Sequence, residues 1–286
     1  MYPRVVTKDP AAVEVEVQAV YLAMFSRGNR VFVPQIFSWA VDCFTGLHPD
    51  YQRIDAGYHD FEHTLQGTLC LVRLLQGRHR ANARPRLTRK AFELGLLAIL
   101  LHDTGYLKRK GDVKGTGAKY TAVHVSRSVA FAGELLKRQR FSGGDIKSVQ
   151  NMIRCTAPNA VPSRLPFANQ LERMVGCAVG TADLLGQMAA ADYLDKLPVL
   201  YSEFAEAARH HGSKGDMFGV FSDATDLIRK TPAFWEKYAR KKLEHDFAGV
   251  YHFLNEPYPS GRNYYLERIN ANINRLRRKL SRLPGG

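Results

Sequence analysis

The stretch Phe92–Tyr106, FELGLLAILLHDTGY, decides the fold. From Leu94 to Leu101 no side chain is polar, so a helix built there is apolar on every side and must be surrounded by other elements. The run is far too short to span a bilayer, which makes it the core helix of a packed protein. Gly105 stops it. Outward from this stretch the chain reads at helical period almost throughout, with Gly or Pro between segments. Helices are expected near 11–26, 31–45, 60–77, 88–103, 120–139, 143–156, 167–187, 190–211, 222–245 and 261–282. VEVEV at Val13 alternates as a strand would, but QAVYLAMF behind it favours helix. The expected architecture is all-α: one multi-helix domain over residues 1–286, with a core near 55–200 and helical extensions on both sides. RHRANARPRLTR, KRKGDVKGTGAKY and APNAVPSRLP read as connections between helices, not as domain linkers.

An apolar content of 45% with 24% charged residues excludes the disordered class. The net charge of +14 draws anions to the surface and leaves nucleic acid, acidic lipid and phosphate esters open as partners. Cys43, Cys70, Cys155 and Cys177 form no C-x-x-C pair and read as reduced thiols in a reducing compartment. The start shows no basic segment followed by a sustained apolar core, so the expected location is cytoplasmic, without a transmembrane segment. The tail NRLRRKLSRLPGG is a basic amphipathic helix with a solvated face.

Polar groups inside apolar patterns mark the candidate site. His102 and Asp103 end the core helix, and Asp183 is the sole charge between Arg173 and Asp192 in MVGCAVGTADLLGQMAAADYL. A buried carboxylate costs several kcal/mol, roughly, unless paired or coordinated, so each needs an arginine, a lysine or a cation. For Asp183, Arg154 is a candidate partner. In YHDFEHTLQG, His59 and His63 stand four apart and share one helical face. His63, His102, Asp103 and Asp183 together make a nitrogen and oxygen ligand field suited to zinc, manganese, iron or magnesium.

The ordered motifs YHDFEH, LLHDTGY and TADLLGQ resemble those of the HD-domain metal-dependent phosphohydrolases, and YHDFEH is similar to the Y-H-N-x-x-H segment of the class I cyclic nucleotide phosphodiesterases. The resemblance covers Tyr58 to Asp192 and implies one or two divalent ions, the first bound by His63, His102, Asp103 and Asp183, with Asp103 bridging to the second. His124 resembles a later histidine used at the second ion. His59 becomes the general acid that protonates the leaving oxygen while a metal-activated hydroxide attacks phosphorus. The implied substrate is a small anionic phosphoester, a nucleotide or cyclic nucleotide. A nucleotidase or dNTP triphosphohydrolase of the same superfamily is the alternative enzyme, and a catalytically silent basic module binding RNA or membrane is the alternative of another class. The chain has Asp60 where the phosphodiesterase pattern has Asn, and Tyr106 where it has His. Lys108 and Lys119 are expected on a phosphate-attracting rim after the H-D motif, and Gln187 at the substrate. Thr156 is a weaker candidate for support of the pocket wall, and His210 and His211 read as helix-capping residues.

Overall fold

In a computed structural model, the structure describes residue 2, residues 5–211 and residues 221–282. Ten α-helices are formed among them: α1 (Pro10–Met24), α2 (Phe32–Thr45), α3 (Phe61–Arg80), α4 (Arg89–Leu101), α5 (His124–Arg138), α6 (Gly143–Arg154), α7 (Gln170–Met188), α8 (Tyr193–His211), α9 (Ala224–Ala233) and α10 (Tyr264–Leu280). The fold is all-α, with one hairpin of two-residue strands, β1 (Asn255–Glu256) and β2 (Arg262–Asn263). Each segment expected to be helical contains a helix. The departure is 222–245, where α9 gives way to wider π-helical turns at Phe234–Ala239 and Lys242–Asp246. Pro232 lies in the last turn of α9 and has no N–H to donate, which removes one α-helical bond just where the turns widen.

Side chains fix the helix starts. Asp9, Asp60, Thr88, Ser142, Asn169, Asp223 and Asn263 each accept a backbone N–H from the first turn that follows. Such a cap is typically worth about 1 kcal/mol. α4 is buried from Leu94 to Leu101, as its all-apolar sequence requires. One cluster of buried apolar residues runs from Val13 to Leu276, with α3, α4 and α7 at its centre.

The crossing of α3 and α7 is close because it is built on glycine. A Cβ at Gly186 would lie 2.8 Å from the carbonyl carbon of Gln66 and from the nitrogen of Gly67. One turn before each contact stand Asp183 and His63, so the approach of the two backbones carries those side chains together. α4 delivers His102 from its C-terminal end. α7 and α8 meet at a bend of 111°, which folds α8 back beside the start of α3. Among the described residues no single helix is long and apolar enough to cross a membrane. All four cysteines are free thiols inside the core. The end of the basic tail, residues 283–286, lies outside the described residues.

Candidate metal centre

Asp60 sets the first ligand. Its Oδ1 accepts the His63 N–H at 2.9 Å, which starts α3 so that His63 faces inward in the first turn. His63 Nε2 lies 3.2 Å from Asp103 Oδ2 and 3.2 Å from Asp183 Oδ1. His102 Nε2 lies 3.2 Å and 3.4 Å from the same two oxygens. Its Nδ1 is 2.7 Å from the Ile99 carbonyl, which only accepts, so the proton sits on Nδ1 and the lone pair of the neutral ring is on Nε2. Adjacent ligand atoms held at about 2.0–2.2 Å from one ion stand roughly 2.8–3.6 Å apart across octahedral and tetrahedral arrangements. The spacings here fall within that range.

The donor set fits a divalent cation on a second ground. His102 Nε2 and Asp103 Oδ2 are buried and have no hydrogen-bond partner, although they face each other. Buried polar atoms left in that way are costly, and a shared cation satisfies both. His63, His102 and Asp103 bring one ligand atom each within 4.8 Å of the others, and Asp183 Oδ1 touches both imidazoles.

Charge in this cluster is strongly perturbed. Burial works against ionisation of Asp103, but the adjacent His102 and His63 hold its carboxyl well below the usual range. Burial likewise raises Asp183, and the same two imidazoles overcome it and bring that carboxyl below its usual range. Desolvation disfavours a charged His63, yet the carboxylates of Asp103 and Asp183 against its ring push it up to about 9. His102 rises further, its burial offset first by the charge of Asp103. In the ion-free chain the imidazoles supply positive charge to the acids. A divalent ion would take over that part and release the protons.

His59 stands beside the cluster, not in it. Its Nδ1 is 2.5 Å from Glu203 Oε2, and Glu203 Oε1 accepts the backbone N–H of Tyr58 at 2.7 Å and of His59 at 3.3 Å. Glu203 is buried, and although burial raises its pKa, the charge of His59 lowers it on balance. Tyr106 stacks between two imidazoles, 4.6 Å from His59 and 4.9 Å from His124, each at 19°. His124 donates from Nδ1 to the Thr121 carbonyl at 2.7 Å and turns Nε2 toward Asp103 Oδ1 at 4.0 Å. Burial lowers its pKa despite Asp103 nearby, which favours the neutral ring. The side chains of His59, Asp183 and His124 keep 14–15% exposure while those of His102 and Asp103 keep 1%.

Of the residues singled out from sequence, His63, His102, Asp103 and Asp183 converge, with His59 and His124 around them. The expected rim of Lys108 and Lys119 is not formed. Lys108 Nζ is held by Asp55 at 2.8 Å and by the Gly115 carbonyl, and Lys119 Nζ by both oxygens of Asp112 at 2.7 Å and by the Lys114 carbonyl. Both ammonium groups are buried clips of the loop. Gln187 donates to the Asp183 carbonyl at 3.1 Å and accepts the Tyr58 hydroxyl at 2.5 Å, so it braces the wall beside Asp183. Arg154 donates to Asn151 and not to Asp183. The Thr156 hydroxyl bonds within its own turn, to Ile153. The ring of His210 lies 6.2 Å from that of Tyr120, and the side chain of His211 lies outside the described residues. Glu203 was not singled out from sequence. Its signal lies in the spacing: it falls between Leu200 and Ala207 at helical period, on the face that α8 buries.

Fold and site together define an all-α protein with a buried centre of two histidines and two aspartates. A family model described as Npun_R2479-like matches residues 110–252, half of the chain. The protein belongs to the Npun_R2479-like family. The matched span holds His124, Asp183 and Glu203, and begins after His102 and Asp103. No curated protein matches the chain.

Proposed function

We propose that the chain is a cytoplasmic metal-dependent phosphohydrolase of the HD type, hydrolysing a phosphoester of a nucleotide or cyclic nucleotide. One observation carries the reading: each of two imidazole nitrogens, from His63 and His102, stands 3.2–3.4 Å from a carboxylate oxygen of Asp103 and from one of Asp183, on three helices and the turn after one of them. His63, His102, Asp103 and Asp183 would hold a divalent ion. Bound there, the ion supplies Lewis-acid activation of water and neutralises charge on phosphoryl oxygens.

The chain's own residues support the rest of the chemistry. Glu203 fixes the tautomer of His59 by accepting a hydrogen bond from Nδ1–H and leaves Nε2 to exchange a proton with the substrate. A histidine so placed is suited to protonate a leaving oxygen. Tyr106, stacked on His59, holds the ring plane. His102 keeps its lone pair on Nε2 through the bond to Ile99.

The experiment is a double variant, His102→Ala with Asp103→Ala. Purified wild-type protein should carry a divalent metal and hydrolyse bis(p-nitrophenyl) phosphate or a member of a nucleotide panel, and the variant should lose both. Equal metal content and equal rate in the two proteins would remove the reading. Products then separate the substrates, since inorganic triphosphate or free nucleoside speaks against a cyclic phosphodiesterase.

A further inference from the structure

The cleft beside His63 contains a cation with no part in the centre itself. Tyr58, His63, Gln66, Gln187, Asp192 and Lys196 line it, and its free volume is about 10 Å³. That is the room of about one water molecule. A phosphoryl group therefore enters only where a side chain moves. Tyr58 and Gln187 are tied to each other by their hydrogen bond, whereas Lys196 is a long side chain that keeps 22% exposure.

Lys196 rests on Asp60, with Nζ 2.6 Å from Oδ2. The carboxylate is divided between two tasks, because its other oxygen caps α3 through the N–H of His63. Asp60 is 35% exposed, so the pair is open to water and weakly held. The other cations near the centre are committed more firmly. Lys108 and Lys119 are buried on Asp55 and Asp112, and Arg127 donates to the carbonyls of Gly105 and Leu107. Among the described residues lining this cleft, Lys196 is the sole lysine or arginine.

We propose that Lys196 binds the anionic group of the substrate, exchanging the Asp60 carboxylate for a non-bridging phosphoryl oxygen as that group enters past His63. The proposal rests on the phosphohydrolase reading and names the residue that selects an oxyanion over a neutral ester. No covalent bond or proton changes place in the exchange. Asp60 makes it possible, since an asparagine there would cap α3 equally well but would leave the ammonium without its resting partner.

The test compares Lys196→Met, Lys196→Arg and Asp60→Asn with wild type, all metal-loaded. The readouts are kinetics on bis(p-nitrophenyl) phosphate and calorimetric titration with inorganic phosphate, with metal content and circular dichroism as controls. Lys196→Met should raise KM and weaken phosphate binding about tenfold or more, the loss of one charge-assisted hydrogen bond, with kcat and metal content nearly unchanged. Lys196→Arg should recover most of the difference. Asp60→Asn should move KM and phosphate affinity the opposite way, toward tighter binding, because the ammonium is already released. Unchanged binding in Lys196→Met, or loosening of equal size in Lys196→Met and Asp60→Asn, would overturn the proposal and make the pair a brace between α3 and α8. If wild type hydrolyses the diester while Lys196→Met binds normally, this inference alone falls. Should wild type show no metal-dependent hydrolysis, the phosphohydrolase reading falls and takes this inference with it.

Discussion

Glu203 touches His59 at Nδ1 and also accepts the backbone N–H groups of Tyr58 and His59, so one buried carboxylate fixes the ring, its tautomer and the chain that carries it. On the proposed reading His59→Ala should lower kcat by about 10²–10⁴ and leave metal content intact. Glu203→Gln should lower kcat by roughly 10–100-fold with KM unchanged, as loss of an orienting partner does. Added to His59→Ala, the Glu203 change should have almost no further effect on kcat, because its action passes through the imidazole. Additive losses in the double variant would mean that Glu203 acts elsewhere. The same two residues show what a sequence discloses at this scale. His63, His102, Asp103 and Asp183 stand out because charge or imidazole interrupts apolar periods, and a polar group there needs a partner. Glu203 is hidden among the acids of α8, Asp195, Glu203 and Glu206, of which tertiary packing buries this one. Lys108 and Lys119 mislead for the complementary reason. In a polar loop they read as solvated, and only the fold brings Asp55, far back in the chain, onto Lys108 and closes the loop so that Asp112 meets Lys119.

Elements meet at the centre through positions too small to carry a side chain. A Cβ on Gly105 would lie 1.9 Å from the carbonyl oxygen of His124, the residue that opens α5. The turn after His102 and Asp103 is therefore pressed directly against the start of α5. Gly105→Ala must push the two apart, and should cost about 1–3 kcal/mol of stability, as overpacking of a tight site does. Urea unfolding should show a lower midpoint at an unchanged slope. Gly143→Ala is the control: nothing lies within 4 Å of its added methyl, so its midpoint should hold or rise slightly. Equal midpoints for wild type and Gly105→Ala would show that α5 is free to shift. Helix starts were legible because Asp60, Thr88, Ser142, Asn169 and Asn263 are capping types placed just ahead of apolar periods. The π-helical turns after Pro232 and the hairpin at Asn255–Asn263 were not, since local sequence there still reads as helix or as loop, while in the fold Glu236 of the first π-helical turn pairs with Arg277 of α10 and β2 packs on α10.

For the molecule as a whole, the centre is a cost that the surrounding core must offset. Two imidazoles and the carboxylate of Asp103 are buried, and that of Asp183 half-buried, where α3, α4 and α7 converge inside the apolar cluster that extends from Val13 to Leu276. The ligands come from separate parts of the chain, His63, His102–Asp103 and Asp183, so the unfolded chain does not bring them together. An ion that binds the folded form and not the unfolded one must stabilise the fold by mass action. At a free metal concentration about a hundred times Kd the gain is about 2.7 kcal/mol, and each further tenfold adds about 1.4 kcal/mol. For a chain of this size that is a rise of roughly 5 °C or more in Tm. Melting curves of chelator-treated protein against increasing zinc or manganese should show Tm climbing with the logarithm of metal concentration. Asp183→Ala should flatten the climb, because it removes the one oxygen in contact with both imidazoles from the side of α7. The apo variant should also melt lower than apo wild type, since His63 and His102 lose half of the negative charge that offsets their burial. A climb of the same slope in wild type and Asp183→Ala would place the ion elsewhere and separate the fold's polar centre from any metal chemistry.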